Sequence, residues 1–173
     1  GEAGSGTIFF SGCSLKCVFC QNHEISTGNF GLKIEPERLV QIMLELQDQG
    51  ALNINLVTAT HYAHLLPWAI GRAREGLSIP IVYNTSGYEL ERAVRDLGDL
   101  VDVWLTDYKY ASPDLAAKLS NVRDYPDVAR RGLAQMCREI RRRGGIEYDE
   151  HGTMLQGMIV RHLVLPGHAD DSC

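Results

Sequence analysis

Three cysteines, Cys13, Cys17 and Cys20, crowd into the stretch GCSLKCVFCQN with the spacing C-x3-C-x2-C. Thiolates are soft donors, and three converging in one short loop argue for zinc or an iron–sulfur cluster. The count of three is informative. A cubane cluster has about four irons, so three cysteines leave one iron without a protein ligand and open to a substrate or cofactor. His23 follows Cys20 as C-x2-H and supplies an alternative, a closed Cys3His structural zinc site. Structural zinc sites usually take their ligands from two separated knuckles, whereas these four residues share one loop.

The cysteine loop follows Thr7-Ile8-Phe9-Phe10, an apolar run that reads as a short buried strand broken by Ser11-Gly12. A strand, then C-x3-C-x2-C with an aromatic just before the third cysteine, resembles the radical S-adenosylmethionine (radical SAM) enzymes. SGCSLKCVFCQN is most similar to the branch related to pyruvate formate-lyase activating enzyme. The resemblance implies a 4Fe–4S cluster on Cys13, Cys17 and Cys20. Its open iron is chelated by the amino and carboxylate groups of S-adenosylmethionine. An electron then cleaves the sulfonium to a 5′-deoxyadenosyl radical, which abstracts a hydrogen atom.

The rest of the chain must position that loop. Its 173 residues, 45% hydrophobic with mean hydropathy −0.15, fit one domain with a real core. The net charge of −5 has no basic half, so nucleic acid is not an expected partner. No apolar run reaches the ~18 residues of a membrane span and no signal-like segment is present, so neither a membrane nor secretion is expected. Five cysteines, three of them clustered, argue against a disulfide framework and for a reducing, cytoplasmic location.

After a turn-rich segment over 21–33, helical and strand patterns alternate. Helices are expected over 36–49, 63–75, 89–97, 113–119 and 126–143, and strands over 53–58, 79–83, 101–106 and 158–165. IPIVY reads as a strand buried on both faces. Arg141-Arg142-Arg143 reads as a solvated helix end whose cations suit the negative dipole terminus. About five βα units follow, and parallel strands joined by helical crossovers give an α/β fold. Alternation alone does not separate a flat sheet from a barrel. The resemblance implies a partial (β/α)6-type TIM-like barrel, a single core domain over residues 1–173, with the sixth βα unit lying outside this chain.

In such barrels chemistry sits at the C-terminal strand ends. The resemblance places Phe19 beside the adenine and Asn22 on the cofactor. After strand two the family's Gly-Gly-Glu, which meets the cofactor's amino group, is replaced by Thr58-Ala59-Thr60-His61-Tyr62, so Thr58, Thr60 and backbone carbonyls are the candidate acceptors. His61 is read as a capping or hydrogen-bonded histidine, with a catalytic role as the alternative. After strand three Asn84-Thr85-Ser86-Gly87 matches the family's Asp-Thr-Asn-Gly near the ribose, with an amide in place of the acid. That replacement weakens any monovalent-cation site. After strand four Asp107-Tyr108-Lys109 matches Asp-x-Lys, whose lysine pairs with the cofactor carboxylate. Arg161 and His162 stand in a segment like R-x-V-x-P-G, and strand alternation sends them to opposite faces.

Three functions are open on this reading. The first is an activase that makes a glycyl radical on a partner protein; the second is a radical enzyme acting on a small molecule or another macromolecule. The third is a non-catalytic zinc-stabilised interaction domain. No second cysteine cluster is present, so the resemblance implies an external one-electron donor of flavodoxin or ferredoxin type. Cys137 and Cys173 are not expected as ligands. No catalytic residue is assigned.

Overall fold

The computed structural model describes residues 4–28 and 30–172; Cys173 lies outside the described residues. Its elements run β1 (Gly6–Phe9), α1 (His23–Ser26), α2 (Pro36–Asp48), β2 (Ile54–Val57), α3 (Leu66–Ala73), β3 (Ile81–Thr85) and α4 (Glu91–Leu97). They continue with β4 (Val103–Asp107), α5 (Pro113–Ser120), α6 (Tyr125–Arg142), β5 (Glu147–Tyr148) and β6 (Met154–Arg161), and short 3-10 turns cover Ala59–Tyr62 and Ala169–Ser172. The sheet order is β1-β2-β3-β4-β6-β5. The first five strands in that order are parallel, and β5 adds an antiparallel ribbon on the outer edge of β6. This is the expected α/β architecture, a curved, mostly parallel sheet of partial TIM-like form.

Strand parity decides what the two faces do. Ile54 and Leu56 of β2, Ile81 and Tyr83 of β3, and Trp104 of β4 point outward and are buried under the helices. They pack with Met43 of α2, Leu66 and Ile70 of α3, Leu97 of α4 and Met136 of α6. Tyr83 meets Trp104 edge to face at 5.4 Å. The alternate residues, Asn55, Val57, Val82 and Asn84, face the concave side. Val82 is half-buried there, so IPIVY is not sealed on both faces: its inner face borders open space.

Four expectations are corrected. The loop over 21–33 contains one helical turn, α1, closed by Ser26 N–H donating to the Asn22 carbonyl; one turn is too short to show a period. β5 is likewise too short to read. The last strand lies four residues earlier than its apolar run, because its ladder ends where β4 ends. Tyr108 N–H donates to the Arg161 carbonyl and the His162 ring then bonds the Tyr108 carbonyl, so alternation stops there and Leu163 and Val164 lie beyond the strand. Over 157–161 the outer edge of β6 has no partner strand among the described residues, and Ile159 and Val160 are half-exposed. No described helix is long and apolar enough to cross a membrane.

The fourth correction concerns the arginine run. Arg143 is not a solvated cation: its guanidinium donates to the Val101 carbonyl and to Asp102 at 3.1 Å. Asp102 also takes a bond from Arg74 and from Ile81 N–H at 2.8 Å, so one carboxylate ties α3 and α6 to the starts of β3 and β4. The positive φ of Gly144 and Gly145 ends α6 there, Gly145 N–H returning to the Ile140 carbonyl. Removing the carboxylate strands two partly buried cations and a backbone donor. Asp102→Ala should therefore lower unfolding stability by about 3–5 kcal/mol in urea titration. A loss below about 1 kcal/mol would show that water replaces the carboxylate.

Candidate functional site

The cysteine loop is clamped to α5. Lys16 N–H donates to the Ser120 carbonyl, Val18 N–H to Leu119, and Gly12 N–H to Ile25. Leu15, 2% exposed, anchors the loop in a second core with Tyr110, Leu115, Ala116, Tyr125 and Ala129. So held, Cys13, Cys17 and Cys20 line one cavity of about 730 Å³ at the C-terminal ends of the strands. That is within the usual size of ligand pockets, about 300–1,000 Å³.

The sulfurs carry local partners. Ser120 Oγ lies 2.9 Å from Cys17 Sγ and is bonded at 2.6 Å to the Tyr110 hydroxyl, and Ser26 Oγ lies 3.2 Å from Cys20 Sγ. Burial raises the Cys13 and Cys17 thiols above the ordinary thiol range. A backbone bond from Leu15 opposes this at Cys13, the Ser120 hydroxyl opposes it at Cys17, and the positive charge of Lys109 opposes it at both. Burial also pushes the Tyr110 phenol up to about 12. Among the described residues no three His, Cys, Asp or Glu side chains are closed into a metal-ion site. Cys13, Cys17 and Cys20 nonetheless line the same cavity, and three soft thiol donors are the kind of ligand an iron–sulfur cluster takes. His23 is exposed on α1 and does not line the cavity, so the fourth ligand of a closed zinc site is not in place.

Phe19 and Asn22 line the same cavity, Phe19 resting edge-on against Tyr110 at 6.5 Å. Thr58 lines it from the end of β2, and Asn84, Thr85 and Ser86 from β3 and the turn after it. Thr60 is the exception. Its hydroxyl is turned away to donate to Glu89 at 2.5 Å, and it does not reach the cavity. His61 is exposed and also outside it.

On the same cavity, Asp107 holds two cations. Lys109 Nζ is 2.5 Å from one carboxylate oxygen and Arg161 Nε is 2.8 Å from the other. Arg161 also donates to Asn84 Oδ1 at 2.8 Å, so the amide that replaces an acid keeps its acceptor role. Arg161 and His162 both line the cavity, contrary to strict alternation, because the ladder ends between them.

Several contributors were not legible. Ser26 and Ser120 read as loop and helix-end residues, and Tyr125 as a helix start. The Tyr125 hydroxyl donates to the Ser86 carbonyl at 2.7 Å and accepts from Lys109 N–H at 3.0 Å. Gly87 is required beside it: at φ +83° its missing Cβ would sit 2.1 Å from the Asp107 carbonyl. The inward amide of Asn55 also lines the cavity, and its Oδ1 has no hydrogen-bond partner among the described residues.

The sequence model of the Radical SAM superfamily matches residues 7–150. An uncharacterized protein of Methanocaldococcus jannaschii is 33% identical over 173 residues, covering 96% of this chain and 46% of its own length. The chain thus spans less than half of that relative. The structure of SuiB from Streptococcus suis bound to S-adenosylmethionine aligns with a TM-score of 0.56 at 17% identity, covering 80% of this chain and 32% of that one. It shares the fold.

Tyr125→Phe removes the bond that joins the ends of β3 and β4 and leaves the Lys109 N–H unpaired. It should cost about 1–3 kcal/mol of stability, measured by chemical denaturation. An unchanged midpoint would show that the phenol braces nothing.

Proposed function

The chain belongs to the radical SAM superfamily, and from that premise we propose that it carries a 4Fe–4S cluster on Cys13, Cys17 and Cys20 and cleaves S-adenosylmethionine to begin hydrogen abstraction from a glycine of a partner protein. The superfamily works with these two cofactors. One observation carries the reading: three thiols and the Asp107–Lys109–Arg161 group line the same cavity. When bound, the reduced cluster supplies the electron that breaks the sulfonium bond.

The chain's own residues hold and orient. Lys109 and Arg161 share a single carboxylate, so one positive charge is left to receive the carboxylate of S-adenosylmethionine. Phe19 gives an apolar face for the adenine. Asn84, Thr85 and Ser86 offer amide, hydroxyl and backbone groups to the ribose, and Thr58 with the carbonyls of its turn offers acceptors to the amino group. Asn22 closes the wall between cluster and cofactor. Electrons come from an external flavodoxin- or ferredoxin-type donor.

A protein target, in the manner of pyruvate formate-lyase activating enzyme, is favoured by the likeness of SGCSLKCVFCQN to that branch. A small-molecule substrate is the second reading, favoured by the unpartnered amide oxygen of Asn55 inside the barrel.

Anaerobic reconstitution with iron and sulfide should load about four irons, and alanine at Cys13, Cys17 or Cys20 should abolish loading. With dithionite the loaded protein should convert S-adenosylmethionine to 5′-deoxyadenosine. One tightly held zinc and no cluster would overturn the proposal. A glycine-centred radical on an added glycyl radical enzyme, seen by electron paramagnetic resonance, would establish the partner class; turnover of a small molecule instead would establish the second reading. Lys109→Ala should weaken S-adenosylmethionine binding by ~1.5–3 kcal/mol with cluster content unchanged, and equal affinity would remove Lys109 from the carboxylate site.

A further inference from the structure

Thr58 and Asn121 are the two described non-glycine residues with positive φ. Asn121 caps α5, a position where asparagine is at home. Thr58 is different. A β-branched residue at φ +60°, ψ +40° is strained and persists only where its surroundings over-determine it. Thr58 lines the cavity, and the turn that follows it, Ala59–Tyr62, leads away from it.

The surroundings converge on Glu89. This carboxylate is 2% exposed and has no cationic partner among the described residues. One of its oxygens, Oε1, accepts three hydroxyls: Thr60 at 2.5 Å, Thr85 at 2.5 Å and Tyr83 at 3.3 Å. Thr85 Oγ1 in turn accepts from Gly87 N–H at 3.2 Å. Burial raises the carboxyl's pKa while the three hydroxyls oppose the shift. α6 packs directly on the Glu89 backbone at Gly132, where a Cβ would lie 3.2 Å from the Glu89 carbonyl. Glu89 therefore reaches across from the turn after β3 to the turn after β2 without touching the cavity itself.

We propose that Glu89 is a positioning residue that cross-braces the turns after β2 and β3, so that Thr58 and Thr85 are held as one preformed wall against S-adenosylmethionine. The proposal rests on reading the cavity as the S-adenosylmethionine site. The brace needs an acceptor at Oε1 and hydroxyls to meet it. Removing either end leaves the Thr58 N–H bond to the Asn84 carbonyl at 2.9 Å to join the two turns and loosens the strained turn at Thr58, which costs binding because the cofactor must then order it.

The test uses cluster-loaded protein, with iron content and melting temperature measured beside the affinity for S-adenosylmethionine. Wild-type binding is the control, so a wild type that does not bind marks failure of the functional reading instead. Glu89→Leu fills the same space without an acceptor and should raise Kd about tenfold with iron content unchanged. Glu89→Gln keeps a carbonyl acceptor and should stay within about threefold of wild type. Thr60→Val, outside the cavity and mild enough to fold where Glu89→Leu does not, should raise Kd several-fold. In the Glu89→Leu background it should add nothing, the signature of one shared interaction. Wild-type affinity in folded Thr60→Val or Glu89→Leu protein with only a lowered melting temperature would overturn the brace. So would Glu89→Gln binding as weakly as Glu89→Leu.

Discussion

The site depends on one buried phenol. Tyr125 begins α6, yet its hydroxyl lies between the turn after β3 and the end of β4, bonded to the Ser86 carbonyl and the Lys109 amide. Parallel strands leave their C-terminal backbone groups without ladder partners, and loops leaving adjacent strands would otherwise diverge. The phenol satisfies a donor and an acceptor there at once. Its ring also stacks on Tyr88 and meets Tyr110 edge-on, and Tyr110 bonds Ser120 beneath the cysteine loop. Burial raises the Tyr125 hydroxyl far above the usual phenol range, so it stays protonated and able to donate. Cysteine loop, the turn after β3 and Asp107–Lys109 thus share one support.

Electrostatics then shapes the cavity. The Cys13 and Cys17 thiols lie in a partly desolvated region where burial opposes ionisation and the positive charge of Lys109 favours it. Asp107 does not cancel the cations, because it divides itself between Lys109 and Arg161. Thiol donors and surplus positive charge thus line one cavity. A zwitterionic amino acid end set there would meet complementary groups.

What was legible in the chain follows from range. The five parallel strands, the helices between them and the cysteine set rest on local periodicity and spacing and are present, whereas α1 and the two-residue β5 were not read. The cavity-lining positions at 84–86, 107, 109 and 161 lie at or just past strand ends, so topology gathers them. Thr60 failed because its hydroxyl was claimed by a buried carboxylate 29 residues away, a contact with no periodic trace. Tyr125 and Ser120 escaped for the same reason: each acts through partners on other elements. The shift of the last strand came from pairing, since an apolar run continues past the point where β4 has no more backbone to offer.

The departure from the family pattern after β2 now has a physical shape. Where Gly-Gly-Glu would stand, glycine would enter the left-handed region without strain and the acid would be supplied from that same turn. Here Thr58 takes the left-handed conformation at a cost, and the acid comes from Glu89 on the neighbouring turn, facing away from the cavity. The carboxylate does not line the cavity; it holds the hydroxyls of Thr60 and Thr85, and of these two residues only Thr85 lines the cavity. The turn after β2 is rigid because it is cross-linked, whereas a glycine turn carrying its own acid would be free to adjust on binding. A preformed wall lowers the ordering cost of holding a cofactor but narrows the shapes it accepts. The chain therefore answers the same geometric demand with strain plus a buried brace in place of conformational freedom plus a contacting acid.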